Sequence, residues 1–157
     1  MTRHGLKVAL KHAESLPSFK SLAEAKRSLF QLRDRLRDEI ERLSRECNVV
    51  LDFSPDSLKT LEKWYFDLYN SDGFECLGLT QEEFERCMGF YNGFVYTEND
   101  PEFTWIVEES PYKAGKFQIG VTKGLLTIWV GRVSRLQKLK NNKRMQSMFR
   151  EYKRYSA

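Results

Sequence analysis

The chain holds two histidines, three cysteines and four prolines in 157 residues, and each scarcity excludes a class of protein. His4 and His12 lie eight apart with no cysteine or carboxylate motif beside them, so the sequence gives no metal pair and no general base. Cys47, Cys76 and Cys87 are an odd number at wide spacing, which is neither a disulfide framework nor a zinc-binding Cys-x-x-Cys pair. Reduced thiols and a cytoplasmic location are the expectation. Nothing approaches the ~18 consecutive apolar residues of a membrane span. The first twenty residues carry Arg3, Lys7, Lys11 and Lys20 where a secretory leader would be apolar, so no membrane role is expected. The nine glycines are scattered singly, leaving no phosphate-cradling loop, and no Gly-x-Ser-x-Gly elbow occurs. No metal or cofactor is expected.

What the chain has is charge, sharply segregated, and many aromatic rings. Residues 1–50 carry 11 basic and 7 acidic side chains; residues 51–110 carry 3 basic and 14 acidic; residues 111–157 carry 12 basic and one acidic, Glu151. The net +4 thus conceals an acidic middle and a basic end. Fourteen of the 21 aromatic residues fall between Trp64 and Phe117, inside the acidic stretch. The length suits one domain able to bury a substantial core.

Periodicity predicts a single α+β domain over 1–157: N-terminal helices, a four-stranded antiparallel meander over 94–131, and a basic helical tail over 132–157. Leu6, Ala9, Leu10 and Ala13 mark a first short helix, ended by Pro17. Ser21 and Glu24 form a capping box opening a long helix, 20–47, whose apolar stripe runs from Leu22 through Leu29, Leu36 and Leu43 to Cys47. About 27 residues would span ~40 Å, so the helix either lies across the whole body or projects. Its stripe is nearly four heptads long, and a homodimer through residues 22–47 is the expectation. Two further helices are predicted over 54–93, one capped by Ser54 with Pro55 at its first position, the other opened by Thr80 and Glu83. From Gly93 the period shortens to two, which predicts strands at Phe94–Glu98, Phe103–Glu108, Lys116–Thr122 and Leu125–Val130. Lys123-Gly124 is the expected turn of the last hairpin, and the last strand, apolar on both faces, is expected to be central or covered.

The segment Gly89-Phe90-Tyr91-Asn92-Gly93-Phe94-Val95, followed by a Trp-containing strand, resembles small uncharacterised bacterial domains over about residues 54–130. That resemblance carries no functional residue with it.

Catalysis has weak support. The carboxylates Glu82, Glu83 and Glu85 crowd one helix start, where capping and the helix dipole already account for them. A carboxylate-based hydrolase is the residual enzymatic reading, and a non-enzymatic interaction or regulatory protein is the main one. In that reading the acidic, aromatic middle binds a basic protein partner in an immunity-like way, through Tyr69, Tyr91, Tyr96, Tyr112, Glu98 and Glu102. The alternative is nucleic-acid binding through Arg132, Arg135, Lys138, Lys140, Lys143, Arg144, Arg150, Lys153 and Arg154. A helix over 143–155, with a break near Asn141-Asn142 before it, is expected to pack Met145, Met148, Phe149 and Tyr152 on the domain and turn its cations outward.

Overall fold

A computed structural model of the chain describes residues 2–133 and 146–156. The expected residues Arg135, Lys138, Lys140, Lys143, Arg144 and Met145, and the Asn141-Asn142 break, lie outside the described residues. In order, the elements are α1 (Arg3–Ser15), α2 (Leu22–Glu46), α3 (Ser57–Asn70), a short 3₁₀ turn (Glu75–Leu77), α4 (Gln81–Asn99), β1 (Thr104–Glu109), β2 (Phe117–Lys123), β3 (Leu126–Trp129) and α5 (Ser147–Tyr155). The architecture is α+β, and among the described residues the sheet has three antiparallel strands in the order β1-β2-β3.

The helix starts follow their caps. Ser21 Oγ accepts the Glu24 N–H at 3.1 Å, while the Glu24 carboxylate accepts the Lys20 N–H at 2.9 Å. Thr80 Oγ1 accepts the Glu83 N–H at 3.1 Å. Ser54 Oγ accepts the Ser57 N–H at 3.2 Å, but a tight i,i+3 turn intervenes and α3 begins three residues after the expected cap.

α2 lies across the body and joins two cores. Near its N-terminus Ala25 and Leu29 pack with Phe90, Val107, Phe117, Ile119 and Val130. Towards its C-terminus Ile40 and Leu43 pack with residues of α3, α4 and α5, among them Leu58, Leu61, Trp64, Phe84, Tyr91, Tyr96, Met148 and Tyr152. The stripe that led from the sequence to a second copy is therefore covered within the chain, with Leu22, 45% exposed, at its uncovered end.

The expected first strand, Phe94–Glu98, is instead the last part of α4. The reason is the helix's surroundings. Phe84, Cys87, Met88, Phe90, Tyr91, Phe94, Val95 and Tyr96 are all buried, so α4 is apolar on nearly every side and no polar stripe reveals its period. Gly93, from which the sequence reads as strand, and Gly89 are i,i+4 neighbours on one helical face. A methyl group on Gly89 would come within 2.2 Å of the Val130 carbonyl oxygen, and one on Gly93 within 2.4 Å of Trp105 Cη2. The glycines are notches into which the sheet fits, and they outweigh the helix propensity that alanine would add.

Two smaller corrections concern the last hairpin. Lys123 pairs with Leu126, so the turn is Gly124-Leu125, with Gly124 at φ +60 and Leu125 fully exposed. That geometry, left-handed only at the first central position, calls for glycine there. β3 is an edge strand rather than a central one. Its two apolar faces have separate uses: Ile128 enters the core, and Trp129 lies over Gly120 on the other side.

Gly89→Ala is expected to lower unfolding stability by about 1–3 kcal/mol in a denaturant titration, because overpacking against a main-chain carbonyl exceeds the roughly 1 kcal/mol of helix propensity gained. Gly93→Ala should lose less, since the obstructing atom belongs to a side chain.

Candidate functional site

The six residues expected to meet a basic partner do not form one surface. Tyr91 is 1% exposed and Tyr96 0%; both belong to the core. Tyr91 is held there by hydrogen bonds. Its hydroxyl accepts the Phe53 N–H at 2.9 Å and shares a 2.5 Å bond with Ser57 Oγ, and its ring stacks on Phe53 at 4.5 Å. Tyr96 lies 4.9 Å from Phe103 and 4.9 Å from Tyr152, ring centre to ring centre. Tyr69 is half-buried near Tyr65, and only Tyr112 is exposed. Glu98 forms an ion pair with Arg37 of α2, and Glu102 pairs with Lys123 at 3.1 Å, so each carboxylate already faces a cation of its own chain. Sequence spacing placed the rings in the right stretch but on the wrong side of the protein surface, because α4 buries almost its whole circumference.

Lys123 also holds Asp100 at 2.9 Å, and this hydrogen bond keeps the Asp100 carboxyl below its ordinary range. Arg37 stacks over Phe53 at 4.0 Å and over Phe94 at 4.5 Å, with Arg33 over Phe30 at 4.8 Å and Trp105 at 5.3 Å. Aromatic and acidic groups of the middle are thus satisfied by arginines of α2.

Two of the three helix-start carboxylates are likewise structural, and Glu82 is exposed. Glu83 belongs to the Thr80 cap, and Glu85, 6% exposed, accepts the Tyr65 hydroxyl at 2.5 Å and the Gln81 amide at 3.1 Å. Among the described residues no three His, Cys, Asp or Glu side chains converge as metal ligands. Cys87 is a buried thiol whose pKa is pushed up to about 12 by burial, the opposite of an activated nucleophile.

The C-terminal helix gives a different picture. α5 buries Met148 (5% exposed) and Tyr152 (6%), half-buries Phe149, and leaves Arg150, Lys153 and Arg154 exposed. No side chain of its own caps it. Instead Glu62 of α3, 3% exposed, reaches its first turn: Oε2 accepts the Ser147 N–H at 3.0 Å and Oε1 the Met148 N–H at 3.2 Å. A carboxylate at the positive end of a helix is favourable both as acceptor and as charge. The chain enters α5 through Gln146 in the left-handed region, φ +69. The sequence could not show this cap, because its two halves lie 85 residues apart.

Around that helix, cations and rings alternate. Phe149 has Lys59 Nζ of α3 at 4.1 Å and Lys153 Nζ at 5.6 Å from its ring centre. The Tyr155 ring has the Arg132 and Arg154 guanidiniums each at 5.9 Å. Glu151 is paired with Arg132 at 3.1 Å, a charge contact whose Oε1 lacks hydrogen-bond alignment. Burial raises the Glu151 carboxyl above its ordinary range, against weaker opposing pulls from Arg132 and Arg154.

Two outcomes follow for α5. Glu62→Gln, which keeps the side chain's size but turns one acceptor into a donor facing N–H groups, is expected to weaken α5 docking by about 1–3 kcal/mol. Faster exchange of the Met148 amide and faster tryptic cleavage at Arg150 and Lys153 would register it. The second outcome concerns pH. A carboxyl with a raised folded pKa binds its proton more tightly in the fold, so its stabilising contribution is full below the ordinary value of 4.5 and is lost as pH rises through the folded value. Asp52, held low chiefly by the Ser54 hydroxyl, and Asp100 act in the opposite sense, losing their contribution as pH falls. Glu151→Gln should therefore be more stable than the parent at pH 7, with the advantage shrinking towards pH 4.5, as unfolding titrations across that range would show.

Comparison with known proteins adds a family. Residues 18–156 match the family model described as "Uncharacterised protein YwmA", a stretch that takes in every element except α1. The "Uncharacterized protein YwmA" of Bacillus subtilis (strain 168) is 28% identical over 109 residues, covering 69% of each chain. No solved structure matches. With the α+β core and its notched central helix lying inside the matched stretch, the chain belongs to the YwmA family.

Proposed function

We propose that the protein is a non-enzymatic nucleic-acid-binding protein that contacts the phosphate backbone through the face presented by α5. One observation carries the reading. α5 is fastened by its apolar side and by Glu62, and its outward side interleaves Lys59, Arg132, Lys153 and Arg154 with the rings of Phe149 and Tyr155. Cations neutralise phosphates and flat rings accept unstacked bases, the pairing that single-strand binders use. From Arg132 to Arg154 the sequence adds Arg135, Lys138, Lys140, Lys143 and Arg144 to this charge, against the single acid Glu151. Glu151 offsets Arg132 and Asp56 offsets Lys59, whereas Lys153 and Arg154 form no ion pair among the described residues.

The reading in which an acidic, aromatic middle captures a basic partner has less support, since Tyr91 and Tyr96 are interior and Glu98 and Glu102 already have intramolecular partners. The test is fluorescence anisotropy with labelled single-stranded and duplex oligonucleotides at several salt concentrations. Affinity should fall with salt on a log–log line, and Lys153→Ala with Arg154→Ala should reduce the magnitude of the duplex slope by about 2. Absence of binding at low salt, or a slope unchanged by the double variant, would remove the proposal.

A further inference from the structure

Residues 111–157 hold a single acid, Glu151, among 12 cations, and the structure gives that acid a particular neighbour. Its Oε1 lies 3.1 Å from Arg132 Nε. Glu151 also stands one helical turn before Tyr155 on α5, and the Tyr155 ring has the Arg132 and Arg154 guanidiniums against it. Both arginines draw on the Glu151 carboxylate. The pair is unevenly exposed, 48% for the Arg132 side chain and 27% for Glu151, so the guanidinium is open to a group arriving from solvent.

The carboxylate does little to hold α5 in place. Its Oε1 lacks hydrogen-bond alignment with Arg132, and the buried Tyr96 hydroxyl near it donates to nothing. Burial works against the charge of Glu151 more strongly than the two arginines work for it. α5 is fastened instead by Met148, Tyr152 and the Glu62 cap, none of which involves Glu151. What the carboxylate does is electrostatic. With Glu151 in place the Arg132 pair has no net charge, and a phosphate approaching the guanidinium meets a like charge beside it. Lys59 also has an acid, Asp56, but that carboxylate is exposed and its effect is screened by salt. Glu151 is mostly buried and is screened less.

We infer that Glu151 is an internal stand-in for a phosphate, withholding Arg132 from the nucleic-acid backbone that α5 contacts; the inference rests on the nucleic-acid reading above. In the parent chain the phosphates meet Lys153 and Arg154, which form no ion pair among the described residues, and Arg132 adds nothing to the salt dependence. Removing the Glu151 charge releases one further cation beside Tyr155, and a guanidinium offers a phosphate two parallel N–H groups. The single acid thus sets the affinity of this face below what its cations alone would give. It limits the sequence-independent attraction that grows with every phosphate contact.

The test uses the full chain and a labelled duplex oligonucleotide, with anisotropy read across about 50 to 200 mM salt for the parent, Glu151→Gln, Arg132→Ala and the double variant. Glu151→Gln should bind roughly five- to tenfold more tightly at about 0.1 M salt and steepen the log–log slope by about 0.9, the increment of one phosphate contact. Arg132→Ala should leave the parent slope unchanged and should return the Glu151→Gln slope to the parent value. Exchange of the Met148 amide, read by NMR, should be no faster in Glu151→Gln than in the parent, which shows α5 still docked. A parent that binds and a Glu151→Gln slope equal to the parent's would overturn this inference and leave the nucleic-acid reading intact. So would an Arg132→Ala effect of the same size in both backgrounds, or a steeper slope accompanied by faster Met148 exchange, which would assign the gain to release of α5. Binding by Glu151→Gln alone would uphold the inference while removing binding by the parent, and binding by neither would overturn both.

Discussion

The close approach of α4 to the sheet is the contact on which the rest of this fold depends. Because positions 89 and 93 have no side chain, the helix axis comes near enough for the Val130 carbonyl and the Trp105 ring to occupy its surface. That placement lets one helix serve both cores. Phe90 belongs to the cluster under the N-terminal half of α2, while Phe84, Met88, Tyr91, Val95 and Tyr96 belong to the larger one. It also fixes the chain before α3. The Tyr91 hydroxyl takes the Phe53 N–H, the Asn99 amide donates to the Phe53 carbonyl at 2.8 Å, and the Phe53 ring lies between Tyr91 and the Arg37 guanidinium. These contacts hold Phe53 in the left-handed region at φ +60, a conformation unfavourable for a bulky residue unless its surroundings over-determine it.

The segregated charge of the sequence has a structural use that the net value hides. Acids of the middle meet cations of the flanking regions: Glu98 meets Arg37, and Asp100 and Glu102 meet Lys123. Glu62 meets a helix terminus rather than a side chain. These contacts tie the middle to the segments before and after it. They also draw down the negative charge that the middle offers to partners, while the outer side of α5 stays cationic.

Much of this was readable in the amino-acid order, and the failures share a cause. α2 announced itself because its cap, its apolar stripe and its solvated faces all follow one period. The Ser21 and Thr80 caps are local, set by residues three apart. β1 and β2 lie within one residue of their expected bounds, because each alternates between a buried and a more open face. α4 fails that test, since a helix buried all round has no contrast from which to take a period, and Gly93 mimics a break. Tyr91 and Tyr96 were misplaced for the same reason. Glu62 reads as an ordinary surface acid until α5 arrives from 85 residues away. Tertiary partnerships of that kind leave no local signature.

The Glu62 cap makes α5 the occupant of a site built elsewhere in the chain. The site that α5 occupies is built from Glu62, Lys59 and Tyr96, all of which precede it in the chain by more than fifty residues. α5 then behaves as a tethered ligand: covalent attachment sets its effective concentration, independent of how much protein is present. Its docking adds Met148 and Tyr152 to the larger core, and its release takes them away while leaving the smaller core untouched.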